Sequence, residues 1–285
     1  MKKRNGFTKS DLLVGISCVV FLLLTIQVLG AGGRGRAKQA VCLANLRQLT
    51  AAWEMYADDN NDVLVNGSAG FVKNYPSGSS SGTSSWQPWV GRGFDLPSMA
   101  SSCNLAAQDA LLKGPDDITQ VGTRSYRGTN LLYRYIQDTR VFKCPNGERC
   151  HAISYSIVDA MAGAATYSGM TSNMGAAIKH KSEIARPSER FVFVDDGRVP
   201  MDSWTLYYDR PSWWDAVPAR HGMGGTFSFA DGHSEYHQWI DQRTMELIQQ
   251  QPGVSGIQPC NPDLEWVQIH AWGELGYDRA AYGCE

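Results

Sequence analysis

His233, Glu235 and His237 alternate in "HSEYHQW". Side chains in a strand repeat every two residues, so the three share one face, and their donor atoms suit a divalent metal, with His221 nearby in the chain. A polar strand face open to water is the commoner origin of that pattern. Asp58, Asn60 and Asp62 space oxygen ligands as the start of a calcium loop does. The pattern then breaks: Val63 stands where the loop needs Gly and Ala69 where it needs Glu, so a solvated helix exit is the expected reading and calcium the alternative. Asp195-Asp196 offers an acid and a base on paper. Adjacent strand residues face opposite ways, however, and the following Gly197 favours a turn. There is no G-x-S-x-G, H-E-x-x-H or P-loop. The expectation is therefore a protein that is not an enzyme and has no cofactor, with calcium or another metal as the alternative.

The chain has 285 residues and a net charge of −2, so no basic surface points to nucleic acid. Seven cysteines are too few for a disulfide scaffold. Nine tryptophans supply a packed head, and Trp204, Trp213 and Trp214 in "SWTLYYDRPSWWDAVP" are candidate stacking platforms for a sugar.

Residues 12–29 form an uncharged apolar run behind Lys2, Lys3, Arg4 and Lys9. At 1.5 Å per residue the run spans roughly 27 Å, enough for a hydrocarbon core, and the basic flank places the N-terminus in the cytoplasm. Val28-Leu29-Gly30 and Leu29-Gly30-Ala31 are poor matches to a conventional signal-cleavage site. Next, Cys42, Leu46, Leu49, Trp53 and Tyr56 recur at helical spacing, one apolar face of an amphipathic helix. Between the two segments lies "GAGGRGR". Each glycine there costs about 1 kcal/mol of helix stability relative to Ala, so a bend is expected over 30–36. Downstream, "FVFV" (191–194) reads as a strand. Asp231-Gly232, between "TFSFA" and "HSEYHQW", reads as a two-residue hairpin turn with both φ angles positive, and Phe227 and Phe229 point inward. Short helices are expected near 105–112 and 244–250.

"GFTKSDLLV" resembles the type III signal of type IV pilins and type II secretion pseudopilins. "CLANLRQL…YADDN" is similar to the segment that follows the anchor in Planctomycetes-type pilin-like proteins. "RHGMGGTFSFADGHSEYHQW" resembles the H-X9-DG processing-associated domain, with His221, nine intervening residues, then Asp231-Gly232. The resemblance runs, with gaps, from Gly6 to about Ile240. It implies cleavage by a prepilin peptidase between Gly6 and Phe7, and methylation of the new N-terminus. Asp11 becomes the fifth mature residue, where the family has Glu, and pairs with the Phe7 amine of a neighbouring subunit during assembly.

The expected fold class is α+β: a long N-terminal helix, half transmembrane and half amphipathic, packed on a head with an antiparallel sheet. The segments are a leader (1–6), a transmembrane and filament-core helix (7–29), the Gly-rich bend (30–36), an amphipathic helix (37–58), a head (59–240) with the H-X9-DG hairpin (221–240), and a C-terminal extension (241–285). The expected function is a subunit of a type IV pilus-like filament or type II secretion pseudopilus. Its partners would be other pilin subunits, the prepilin peptidase and the membrane, and its location the inner membrane with the head in the periplasm. The alternatives are a carbohydrate-binding or adhesive head and an anchored hydrolase. For an extracytoplasmic head a Cys144–Cys150 disulfide is expected rather than zinc. Cys260 and Cys284 are a second candidate pair, although six cysteines outside the apolar run allow 15 pairings.

Overall fold

The computed structural model describes residues 9–69, 88–90, 103–113, 117–121, 124–128, 130–162, 177–197, 203–250 and 256–284. The expected cleavage point at Gly6 and Phe7 lies outside them, as does the Ser/Gly-rich run 77–85.

Helix α1 runs from Lys9 to Asp59, 51 residues without interruption. The helix continues unbroken through 30–36, the segment where a bend is expected. Helix propagation adds one hydrogen bond for each residue fixed, so scattered glycines inside an already nucleated helix lower its stability without breaking it. No packing demands Gly33 or Gly35, since a Cβ on either would meet nothing within 4 Å. Two successive left-handed residues end the helix, Asn61 (φ 54°) and Asp62 (φ 69°), and the Asp62 N–H returns to the Ala57 carbonyl.

The transmembrane half of the expected fold does not stand. Among the described residues no helix is long and apolar enough to cross a membrane. The apolar stretch of described side chains from Leu12 to Phe21 spans about 15 Å, half of a ~30 Å hydrocarbon core. The expected single-pass placement in an inner membrane is withdrawn on the same finding.

The head is α+β. Strands β1 (Asn66–Ala69) and β2 (Pro88–Val90) pair in parallel, and β3 (Asp117–Val121) and β4 (Arg124–Gly128) form a separate antiparallel pair. Helices α2 (Leu105–Lys113) and α3 (Tyr133–Ile136) lie in the same half of the chain. The main sheet is antiparallel with strand order β5 (Tyr155–Ile157), β6 (Phe191–Asp195), β7 (Gly224–Phe229), β8 (Ser234–Gln238).

Alternation along β7 builds the two faces of that sheet. Thr226 and Ser228 point to α1, where Ser228 Oγ accepts from Thr50 Oγ at 2.7 Å. Phe227 points the other way, to helix α5 (Pro262–Trp272), with its ring 5.5 Å from that of Trp266. A register shift in β6 between Phe191 and Phe193 breaks strict alternation. Phe191 therefore stacks with Phe227 at 4.4 Å under α5, while the Phe193 N–H donates to Ser228 Oγ on the α1 face. Asp195, two residues on, stays on the α1 face.

The C-terminal extension is thus a layer of the core. Leu264 and Val267 of α5 are fully buried, and helix α4 (Gln242–Gln250) leads into it. Arg190 donates to the Ala271 carbonyl at the C-terminal end of α5, a favourable place for a cation. Cys260–Cys284 is a disulfide that closes this tail.

Cys150 pairs with Cys103, not with Cys144. The Gly147 N–H returns to the Cys144 carbonyl in a tight turn, and Cys144 is buried beneath it while Cys150 faces α2. Gln108 of α2 fixes that contact, donating to the Cys150 carbonyl and accepting from the Ala152 N–H.

The hairpin turn also differs in detail. The Gly232 N–H returns to the Phe229 carbonyl, and the Phe229 N–H donates to the His233 carbonyl. Only Gly232 has positive φ, at +90°. This is a three-residue connection closed by a left-handed glycine, not a two-residue turn with two positive φ angles.

Candidate functional site

Four side chains from four segments converge beside α1. Cys42 lies on the buried stripe of α1. Cys144 follows the 3-10 turn Thr139–Phe142, Asp195 closes β6, and His221 precedes β7. One ligand atom from each lies within 4.8 Å of all the others. Cys42 Sγ donates to Asp195 Oδ2 at 3.2 Å. His221 Nε2 stands 3.1 Å from Cys144 Sγ and 3.5 Å from Asp195 Oδ2. The His221 and Asp195 side chains are 3% and 1% exposed, and Cys42 and Cys144 are fully buried.

Polar neighbours hold this group in place. Cys42 Sγ is 3.2 Å from Thr226 Oγ1 and accepts from the buried Tyr155 hydroxyl. Asn146 spans the other side, donating to the Arg220 carbonyl and lying 3.3 Å from His221 Nδ1. Asp195 Oδ1 is buried with no hydrogen-bond partner among the described residues.

The electrostatics follow from burial and proximity. Burial pushes the Cys42 thiol far above its ordinary range, and hydrogen bonding and charge from Cys144 and Asp195 add to that. Cys144 is held below its ordinary value, chiefly by the hydrogen bond from Cys42, against the opposing effect of burial. For His221 burial pulls downward, but hydrogen bonds and charge from Asp195 and Cys144 outweigh it and raise the imidazole to about 9.

The wiring distinguishes what this group can do. In a nucleophilic relay the thiol and the orienting carboxylate engage opposite nitrogens of the imidazole. Here both face Nε2, while Nδ1 faces an amide. Convergence on one nitrogen suits a shared central point, not proton relay along a line. A shallow open groove of about 520 Å³ lies alongside, lined by Val41, Asn45, Lys143 and Cys144 among others.

The sequence-based candidates fall elsewhere. His233 stacks on Phe229 at 4.1 Å and meets Asp231, whereas His237 stacks on Trp266 at 3.6 Å near Asp263. The alternating face is therefore used for aromatic packing under α5, and Glu235 on the same strand joins no donor cluster among the described residues. Asp58 pairs with Lys181, Asn60 donates to the Tyr56 carbonyl, and Asp62 accepts from Ser182, so the three oxygen groups are drawn to separate partners. His221 sits at the opposite end of β7 from Asp231-Gly232, and the two parts of the H-X9-DG motif do not touch through it. Trp204 and Trp213 are 1% exposed core residues and cannot serve as open platforms, whereas the half-buried Trp214 packs edge-on against Tyr207.

Sequence reading assigned Cys42 to the core, Cys144 to a disulfide, His221 to the hairpin, and set Asp195 aside. Their separation hid them: the four lie on segments 42, 144, 195 and 221, with no local ligand spacing. The one available sign was two cysteines, a histidine and an aspartate each at the edge of a predicted buried element.

No family model matches the chain, and no curated protein and no solved structure matches it either.

Proposed function

We propose that the protein is the subunit of a pilin-like filament, in which the N-terminal half of α1 packs against the same segment of neighbouring copies. One observation carries this reading: a single helix has two different surfaces. From Cys42 onward its apolar stripe is sealed in the head. Toward the N-terminus, Leu12, Leu13, Val14, Ile16, Val19, Val20 and Phe21 are 48–69% exposed. At 100° per residue those positions cover roughly 220° of the helix circumference, and an exposed apolar face that wide needs cover. Among the described residues the head does not supply that cover. A second copy offers a surface of the same kind.

The resemblance of "GFTKSDLLV" to a pilin signal supports the same reading. Cleavage after Gly6 would put a positive amine on Phe7 beside this apolar segment. Pairing it with the Asp11 carboxylate of a neighbour would fix the axial register, since a shifted copy would leave two charges in an apolar core at a cost of several kcal/mol. The adhesive alternative is weakened by the burial of Trp204 and Trp213.

The test is recovery of sheared filaments from cells expressing the full chain. Wild type and Asp11→Glu should sediment as filaments, and Asp11→Ala should be made and cleaved yet be absent from that fraction. Normal filament yield from Asp11→Ala would remove the pairing mechanism.

A further inference from the structure

We infer that Cys42, Cys144, Asp195 and His221 form a structural zinc site that fastens α1 to the head, whether or not the chain assembles.

The donor set comes first. Two sulfurs, an imidazole nitrogen and a carboxylate oxygen at one point suit zinc, which takes four such ligands in closed tetrahedral sites. A tetrahedral zinc with Zn–S of ~2.3 Å and Zn–N and Zn–O of ~2.0–2.2 Å sets ligand–ligand edges of about 3.4–3.8 Å. The separations here are 3.2 Å (Cys42–Asp195), 3.1 Å (Cys144–His221) and 3.5 Å (His221–Asp195), with every pair inside 4.8 Å. Two of these are a few tenths of an ångström short of a tetrahedral edge and the third matches one, so the group is compact enough to close on a single ion.

A second, independent observation points to a ligand. Asp195 is 1% exposed; its Oδ2 faces Cys42 and His221, and its other oxygen, Oδ1, has no hydrogen-bond partner among the described residues, so the carboxylate's charge is incompletely answered by the protein. Nearly all such atoms find one, because an unpaired buried carboxylate oxygen is costly. A cation at the cluster centre answers that charge.

The chemistry balances simply. Zn²⁺ forms two Zn–S bonds, one Zn–N and one Zn–O bond, and the two thiol protons, with any imidazolium proton, leave to solvent. Binding at Nε2 places the remaining ring proton on Nδ1, on the side of Asn146.

The ligands also define what the ion does. Cys42 is the only one on α1, and the other three come from the head: the loop after the 3-10 turn, the end of β6 and the approach to β7. Zinc there cross-links helix to head and leaves no open coordination position, which separates it from a catalytic ion.

The full-length chain, purified without chelator and loaded with Zn²⁺, should retain one equivalent by elemental analysis after dialysis. Co²⁺ in its place should give the thiolate-to-metal charge-transfer and visible bands of tetrahedral coordination. Chelation should lower the melting temperature, and Zn²⁺ should restore it. Cys144→Ser should lose the metal and the bands, while Cys18→Ser, at an exposed thiol of α1, should keep both. Should Cys144→Ser fail to fold, the Co²⁺ spectrum of the wild-type chain decides. Substoichiometric zinc with no Co²⁺ bands would overturn the proposal. So would an unreduced intact mass two hydrogens low from a Cys42–Cys144 disulfide.

Discussion

Gly232 shows how much one residue settles. Its φ of +90° closes the β7–β8 connection, and a Cβ there would touch nothing within 4 Å. Any penalty for a side chain is therefore backbone strain alone. Gly232→Val should cost about 1–3 kcal/mol in denaturant unfolding, because a β-branched residue resists positive φ. An unchanged midpoint would mean that the turn takes another form. The glycine was legible in the sequence as a turn former next to Asp231, but the turn type was not, since three-residue and two-residue connections use the same Asp-Gly pair. The same limit applies to Cys144 and His221. A thiol or an imidazole in a sequence has several plausible partners, and only the fold decides which one lies within 3.1 Å.

Among the elements, those with a strong local period were legible: the buried stripe of α1, the "FVFV" strand, both hairpin strands, and the helices at 105–113 and 242–250. Two others were not. The register shift in β6 sends Phe191 and Phe193 to opposite layers, which a strict two-residue period forbids. The tail reads as an appendage because nothing local in it announces the sheet it covers, yet α5 seals Phe191 and Phe227 from water. Leu264→Ala, at a fully buried position of α5, should therefore destabilise the whole head by about 2–5 kcal/mol in a single transition. A separate early transition of the tail, with the head unchanged, would restore the appendage reading. Cys260–Cys284 ties the same layer down across 24 residues, a loop closure worth about 3 kcal/mol.

At the scale of the molecule, α1 joins two unlike environments. One half is fixed in the head by core packing and by the cluster around Cys42, and the other presents apolar side chains that the head leaves uncovered. An unbroken helix links the two halves, so an assembly made through the exposed half would constrain the spacing of the heads. That is the mechanical requirement of a filament subunit, and the central claim rests on it. Mass spectrometry of the sedimentable material sheared from native cells tests it most directly. The account predicts this chain in that fraction, beginning at a methylated Phe7 with residues 12–21 retained. A chain that stays in the unsedimented monomer fraction, or that begins at Met1 or near Ala31, would contradict it.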